Sequence, residues 1–226
     1  MNTEIFSDPI LARLGPIPLT RTMATCAATS ALVIAFALPL GRAVVRDPGG
    51  RTAAAGRIVH RFLRSLVVGA AGRQAPGVEI FAGTLFLFVA GAAIVGQLPG
   101  VPAPTSNLGV TSALAALVFL AVPVAGVRAL GAVGYFESYF RPSPLLFPFL
   151  IVSEVSRTLA LTLRLFGNML SGHLVVVLLV ALVGPLVPVP MMALALLIGV
   201  LQAYIFAILA CIYIGAGIRG GEEAGR

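Results

Sequence analysis

The sequence predicts an all-α polytopic membrane protein, and three observations predict it. Of its 226 residues, 59% are hydrophobic and only 10% are charged. The mean hydropathy is +1.04. A water-soluble domain of this size needs far more polar surface. The apolar residues also come in long unbroken runs, whereas barrel strands would alternate in short segments. The whole chain, 1–226, reads as one membrane domain.

Residues 1–21 read as an external segment. Glu4 and Asp8 precede the first apolar run, so a cleaved signal is not expected. The first span is 22–41, between Arg21 and Arg42. The second is 80–97, entered after Glu79 and closed by the "LPGVPAP" turn. The third is 109–127, ending at Arg128. Each suits one crossing of about 20 residues. Two longer segments follow, 144–183 and 191–218, joined by "GPLVPVP". Its prolines lack amide donors and make a turn. The 144–218 region is therefore a hairpin of helices too long to stand upright, which must tilt, bend or extend beyond the bilayer.

Residues 42–79 form a basic loop with arginines at 42, 46, 51, 57, 61, 64 and 73. Ile58, Phe62, Ser65 and Leu66 fall near one helical face, and Arg57, Arg61 and Arg64 on another. That pattern predicts an amphipathic helix at the cytoplasmic interface, its arginines toward anionic headgroups of membrane lipids. The positive-inside rule then places the N-terminus outside and the C-terminus in the cytoplasm after five passes. Glu137 in "GYFESYF" reads as a cytoplasmic loop acid.

Net charge is +7, carried by arginine with no lysine. No basic run is interleaved with aromatics in a soluble module, so nucleic acid is not an expected partner. Cys26 and Cys211 lie within apolar runs and read as packing residues. No C-x-x-C spacing exists and the two histidines are far apart, so neither a metal site nor a cofactor is expected. No internal repeat suggests an inverted-repeat transporter.

The chemistry concentrates in "RTLALTLRLFGNMLSGH", residues 157–173. On an ideal wheel, Arg157 and Ser171 lie within about 20° of Arg164, and Asn168 within about 40°. Glu154 is at the stripe's edge, about 80° away, and His173 is on the opposite face. An arginine at mid-bilayer costs about 3 kcal/mol or more and cannot shed its proton, so Arg164 must face a partner or water. No acid lies three or four residues from it. Arg157 instead has Glu154 three positions back, and reads as a local pair or an interfacial side chain. Asn168 suits either function or plain interhelical bonding. In the last segment Gln202, Phe206, Leu209 and Tyr213 share a face. The hairpin would bring Gln202 beside Arg164 without adding charge; a glutamine satisfied by helix packing is the plainer alternative.

"LALTLRLFGNMLSGH" followed by "LLIGVLQAYIFAILACIYI" resembles subunit a of the F-type ATP synthase. Weaker likeness extends through "PTSNLGVT" and the basic helix, over roughly 22–218. The resemblance implies a non-catalytic stator subunit in a bacterial inner membrane. Its expected partners are a ring of c subunits, the peripheral-stalk b subunits and the rest of the complex. It implies two half-channels for H+ or Na+, with Arg164 as the essential charge facing a rotor carboxylate. Asn168, Gln202, His173, Glu154 and Tyr213 become candidates along the ion path. The sequence departs from the family at Asn107, where aspartate is common, and at Gly109, where asparagine is. It also departs at His173, often glutamate, and at Ala195, often histidine or an acid. This thinning of titratable groups, with the short N-terminus, points to the divergent sodium-coupled N-type branch. A different class of reading remains: a secondary transporter whose Arg164 binds an anionic solute. A membrane scaffold, with the polar stripe as helix glue, is the third.

Overall fold

A computed structural model describes residues 10–14, 17–47, 49–71, 76–98, 101–140, 147–184 and 188–224. The membrane part is all-α, with five helices long and apolar enough to cross a bilayer. One element was not expected. Within 1–21, where no secondary structure was assigned, strands β1 (Ile10–Leu14) and β2 (Ile17–Thr20) pair antiparallel, with an irregular register between Ile10 and Ala12. Four and five residues are too few for a periodicity signal.

Helix α1 spans Arg21–Arg46, with Thr20 as N-cap; the Thr20 hydroxyl accepts from the Met23 amide at 3.4 Å. It runs past Gly41, since neither that glycine nor Pro39 stops a helix whose neighbours support it. The buried hydroxyls of Thr25 and Thr29 donate to the carbonyls of Thr22 and Thr25, at 2.9 and 2.8 Å. Bonding back onto their own helix removes the penalty of burying them.

Helix α2, Arg51–Ala71, is the helix expected in the basic loop. The expected apolar face is met in part: Leu66 is buried with Ala53, Gly56 and Val67, whereas Ile58 and Ser65 face outward. Gly56 sits against Val44 and the Leu40 carbonyl of α1. Phe62 stands edge-on to Phe86, with ring centroids 5.5 Å apart. A small-residue stripe allows closer approach to a neighbour than the bulkier apolar one.

Helix α3 is Pro76–Val95. A 3-10 turn at Pro104–Ser106 leads to α4, Leu108–Phe140. Asn107 ties this corner together: its Oδ1 accepts from the Gly109 amide at 2.8 Å, and its Nδ2 donates to Thr22 Oγ1 at 3.3 Å. Helix α4 kinks at Gly131, whose φ of 76° suits glycine. The chain beyond the kink stays helical, so Glu137 lies in a helix and not in the loop expected for it; its side chain lies outside the described residues.

Helices α5 (Phe147–Val183) and α6 (Pro188–Ala224) are each 37 residues long. At 1.5 Å per residue each is about 55 Å, well beyond an apolar core of about 30 Å. Gly184 closes α5: its φ is 93°, and its amide donates to the Val180 carbonyl at 3.2 Å. Residues 185–187 of the expected turn lie outside the described residues.

Helix α6 is the hub, packed against α2, α3, α4 and α5. The largest core cluster joins Leu85 and Val89 of α3, Leu114 and Val118 of α4, Leu161 and Leu165 of α5, and Ala203 and Phe206 of α6. Small residues set the α3–α6 contact. A Cβ on Gly199 would lie 2.6 Å from Ala93 Cβ. Lipid tails are as apolar as leucine, so close van der Waals packing holds such helices together.

Candidate functional site on the terminal hairpin

Helix α5 differs from the other spans that surround the core. Only 6% of its apolar stretch is buried, against 44% for α3 and 39% for α6. It touches the bundle along a narrow strip containing Leu161, Thr162 and Leu165. The Thr158 and Thr162 hydroxyls donate to the carbonyls one turn back, Glu154 and Thr158, each at 3.0 Å. Much of the rest of the helix is exposed or only half-buried.

Arg164 is exposed, with exposed Leu163 and Gly167 beside it. A Cβ on Gly167 would meet nothing within 4 Å. Among the described residues Arg164 has neither a hydrogen bond nor an ion pair. Guanidinium cannot shed its proton, so this is a permanent charge on an apolar helix.

The structure separates the two arginines as the sequence suggested. Arg157 Nη1 is 3.7 Å from Glu154 Oε2, one turn back on α5. Its guanidinium also lies over the Tyr213 ring of α6, 4.4 Å from the centroid. Glu154 and Tyr213 are thus brought together with each other, but around Arg157.

Asn168 and Gln202 meet across the hairpin. Asn168 Nδ2 donates to Gln202 Oε1 at 3.0 Å. Gln202 is 2% exposed, and its Nε2 is buried with no hydrogen-bond partner among the described residues. Asn168 lines a cavity of about 50 Å³ with Gln97, Met169, Gly172 and Ala195. That volume admits one or two water molecules, and the two side-chain amides on its wall can bind them. Ala195 contributes only a methyl group to this wall, 3.6 Å from where a Gly172 Cβ would lie. His173 belongs to α5, but its side chain lies outside the described residues.

Sequence reasoning missed Gln97, treating it as the polar end of a span. Packing of α3 on α6 carries that end to Asn168. It also missed His60, whose Nδ1 is 3.5 Å from Glu79 Oε1 between α2 and α3. A basic loop gives no signal for such a pairing. No group of three or more His, Cys, Asp or Glu that could hold a metal occurs among the described residues.

The model of a family described as ATP synthase A chain matches residues 23–215. ATP synthase subunit a 2 of Picosynechococcus sp. is 53% identical over 143 residues, 63% of this chain and 61% of that protein. ATP synthase subunit a of Albidiferax ferrireducens is 51% identical over 140 residues, 62% of this chain and 61% of that one. ATP synthase subunit a 2 of Bradyrhizobium sp. is 38% identical over 228 residues, 96% of this chain and 97% of that one. The match thus spans less than two thirds of the first two relatives and nearly all of the third.

Proposed function

Because the chain belongs to the ATP synthase A chain family, subunit a of the F-type ATP synthase, we propose that it is the ion-conducting stator subunit of a rotary ATPase. The observation that carries this reading is Arg164: a guanidinium with no ion pair or hydrogen bond among the described residues, on the least buried of the five membrane helices. Its partner in this reading is the carboxylate of each c subunit as the ring turns past α5. The arginine attracts the ionised carboxylate, displaces its ion and blocks direct leakage between the two half-channels. The ion must then ride the ring. Lysine would serve less securely, because burial lowers its pKa.

The cavity lined by Asn168 and Gln97 is the water-bearing part of one half-channel. Its lining amides bind water or a cation without titrating. His173, which falls opposite Arg164 on an ideal wheel, is in this reading a candidate for a separate half-channel. Transferred charge is worth about 2.3 kcal/mol per 100 mV, which supplies torque. The subunit itself makes no bond; ATP chemistry belongs to the soluble headpiece. The b subunits hold it still against the ring. The seven arginines of 42–79 put that loop in the cytoplasm of a bacterial inner membrane, and five passes put the N-terminus outside.

The test uses the whole complex in liposomes. Arg164→Ala is expected to abolish ATP-driven ion transport while the c ring and headpiece still co-purify. Normal pumping by that variant would overturn the reading. The same vesicles decide the ion: a requirement for Na+ with resistance to proton uncouplers marks the sodium-coupled branch, and the reverse marks protons.

A further inference from the structure

Arg157 and Arg164 are one heptad apart, within about 20° on the wheel and about 10 Å along the helix. Both guanidiniums therefore belong to the same side of α5. Yet only one of them is uncompensated. Arg157 is held by Glu154 at 3.7 Å and by the Tyr213 ring at 4.4 Å. Its side chain and that of Glu154 are 32% and 22% exposed, so the pair is partly withdrawn from solvent. Tyr213 comes from α6 and is fixed in turn by the core cluster it packs against. The ring therefore anchors the guanidinium to the hairpin partner.

We infer that Glu154 and Tyr213 are positioning residues that sequester Arg157, so that α5 presents a single attracting charge to the rotor. A second uncompensated cation about 10 Å away would also attract the passing carboxylate. At an effective dielectric of about 20, such a charge alters a site's occupancy by roughly tenfold or more. Each carboxylate would then dwell beside α5 instead of moving on. This inference rests on the reading of Arg164 as the rotor-facing charge.

Rescue tests it, again with the intact complex in liposomes. Glu154→Gln leaves Arg157 without its counter-ion and is expected to slow ATP-driven transport about tenfold, with subunit composition unchanged. Glu154→Gln combined with Arg157→Gln removes the stray charge and is expected to recover the rate to within about threefold. Tyr213→Leu deletes only the ring; it is expected to slow transport less, and Arg157→Gln is expected to cancel that loss too. This arm also serves if Glu154→Gln fails to assemble. The inference is overturned if the double variant is as slow as Glu154→Gln, which would make Glu154 an ion-path group. Full-speed transport by both single variants would overturn it as well. Failure here leaves the role of Arg164 standing, because that is read separately from Arg164→Ala.

Discussion

The Asn168–Gln202 hydrogen bond admits a quantitative test, because the two partners differ in burial. Gln202 is 2% exposed and already has an unpaired Nε2. Asn168→Ala removes the only side-chain donor to its Oε1 among the described residues, leaving the buried amide without that bond. Stranding a buried polar group costs about 1–3 kcal/mol in water-soluble proteins. Interhelical bonds in membranes measure nearer 0.6 kcal/mol, with a maximum of about 1.7. We expect Asn168→Ala to destabilise the hairpin by about 1–1.5 kcal/mol. Gln202→Leu removes the amide altogether and leaves only exposed Asn168, which water can satisfy, so it should cost less than about 0.5 kcal/mol. In the presence of Gln202→Leu, Asn168→Ala should then cost almost nothing, a coupling near 1 kcal/mol. Reversible unfolding in mixed detergent micelles, followed by circular dichroism, measures all four corners of the cycle. Additivity within about 0.3 kcal/mol would refute the reasoning, since it is what unconnected sites show.

Two further substitutions probe the frame that holds the site. Gly199→Val forces a Cβ to within 2.6 Å of Ala93 and should separate α3 from α6; we expect about 1–3 kcal/mol of destabilisation in the same unfolding assay. Gly184→Ala puts a side chain on a φ of 93° and should cost about 1–2 kcal/mol, seen as a lowered midpoint with an unchanged denaturant slope. On the transport side, Ala195→His places a titratable group on the cavity wall. Transport should then fall as pH drops through about 6.5, where the added imidazole becomes charged and repels a cation; a flat pH profile would place the ion path elsewhere.

The spans were legible because hydropathy and length act residue by residue. Bilayer thickness sets the length, and backbone satisfaction forces helix. Their ends were less so. Gly41 and Pro39 look like stops, yet α1 continues to Arg46, because neighbouring helices support the backbone there. The Arg157–Glu154 pair could be read at three-residue spacing. The cation–π contact with Tyr213 could not, since it depends on the rotation of α6 about its own axis. The packing stripe of α2 was legible only in part, at Leu66 and Phe62, for a related reason. Amphipathicity indicates which side avoids water, but the small residues Ala53 and Gly56 decide which side meets protein. Gln97 became visible only when α3 was laid on α6.

That limit bears on how the site is built. In the proposed reading α5 presents a charge to a moving partner, and such a helix cannot be gripped all round by its own chain. Helix α5 has its most buried attachment on one strip: Leu161 and Leu165 in the core, and Gly172 near Ala195. Its polar groups differ in what they reach. Asn168 and Arg157 contact Gln202 and Tyr213 of α6, whereas Arg164, on the same side of the helix, stays exposed. Burying Arg164 against α6 would require a counter-ion there, and breaking such a buried pair typically costs about 3–5 kcal/mol. A rotor carboxylate would have to supply that energy at every step. In the proposed reading, leaving the guanidinium outside the bundle avoids this barrier and keeps its charge available for each passing carboxylate.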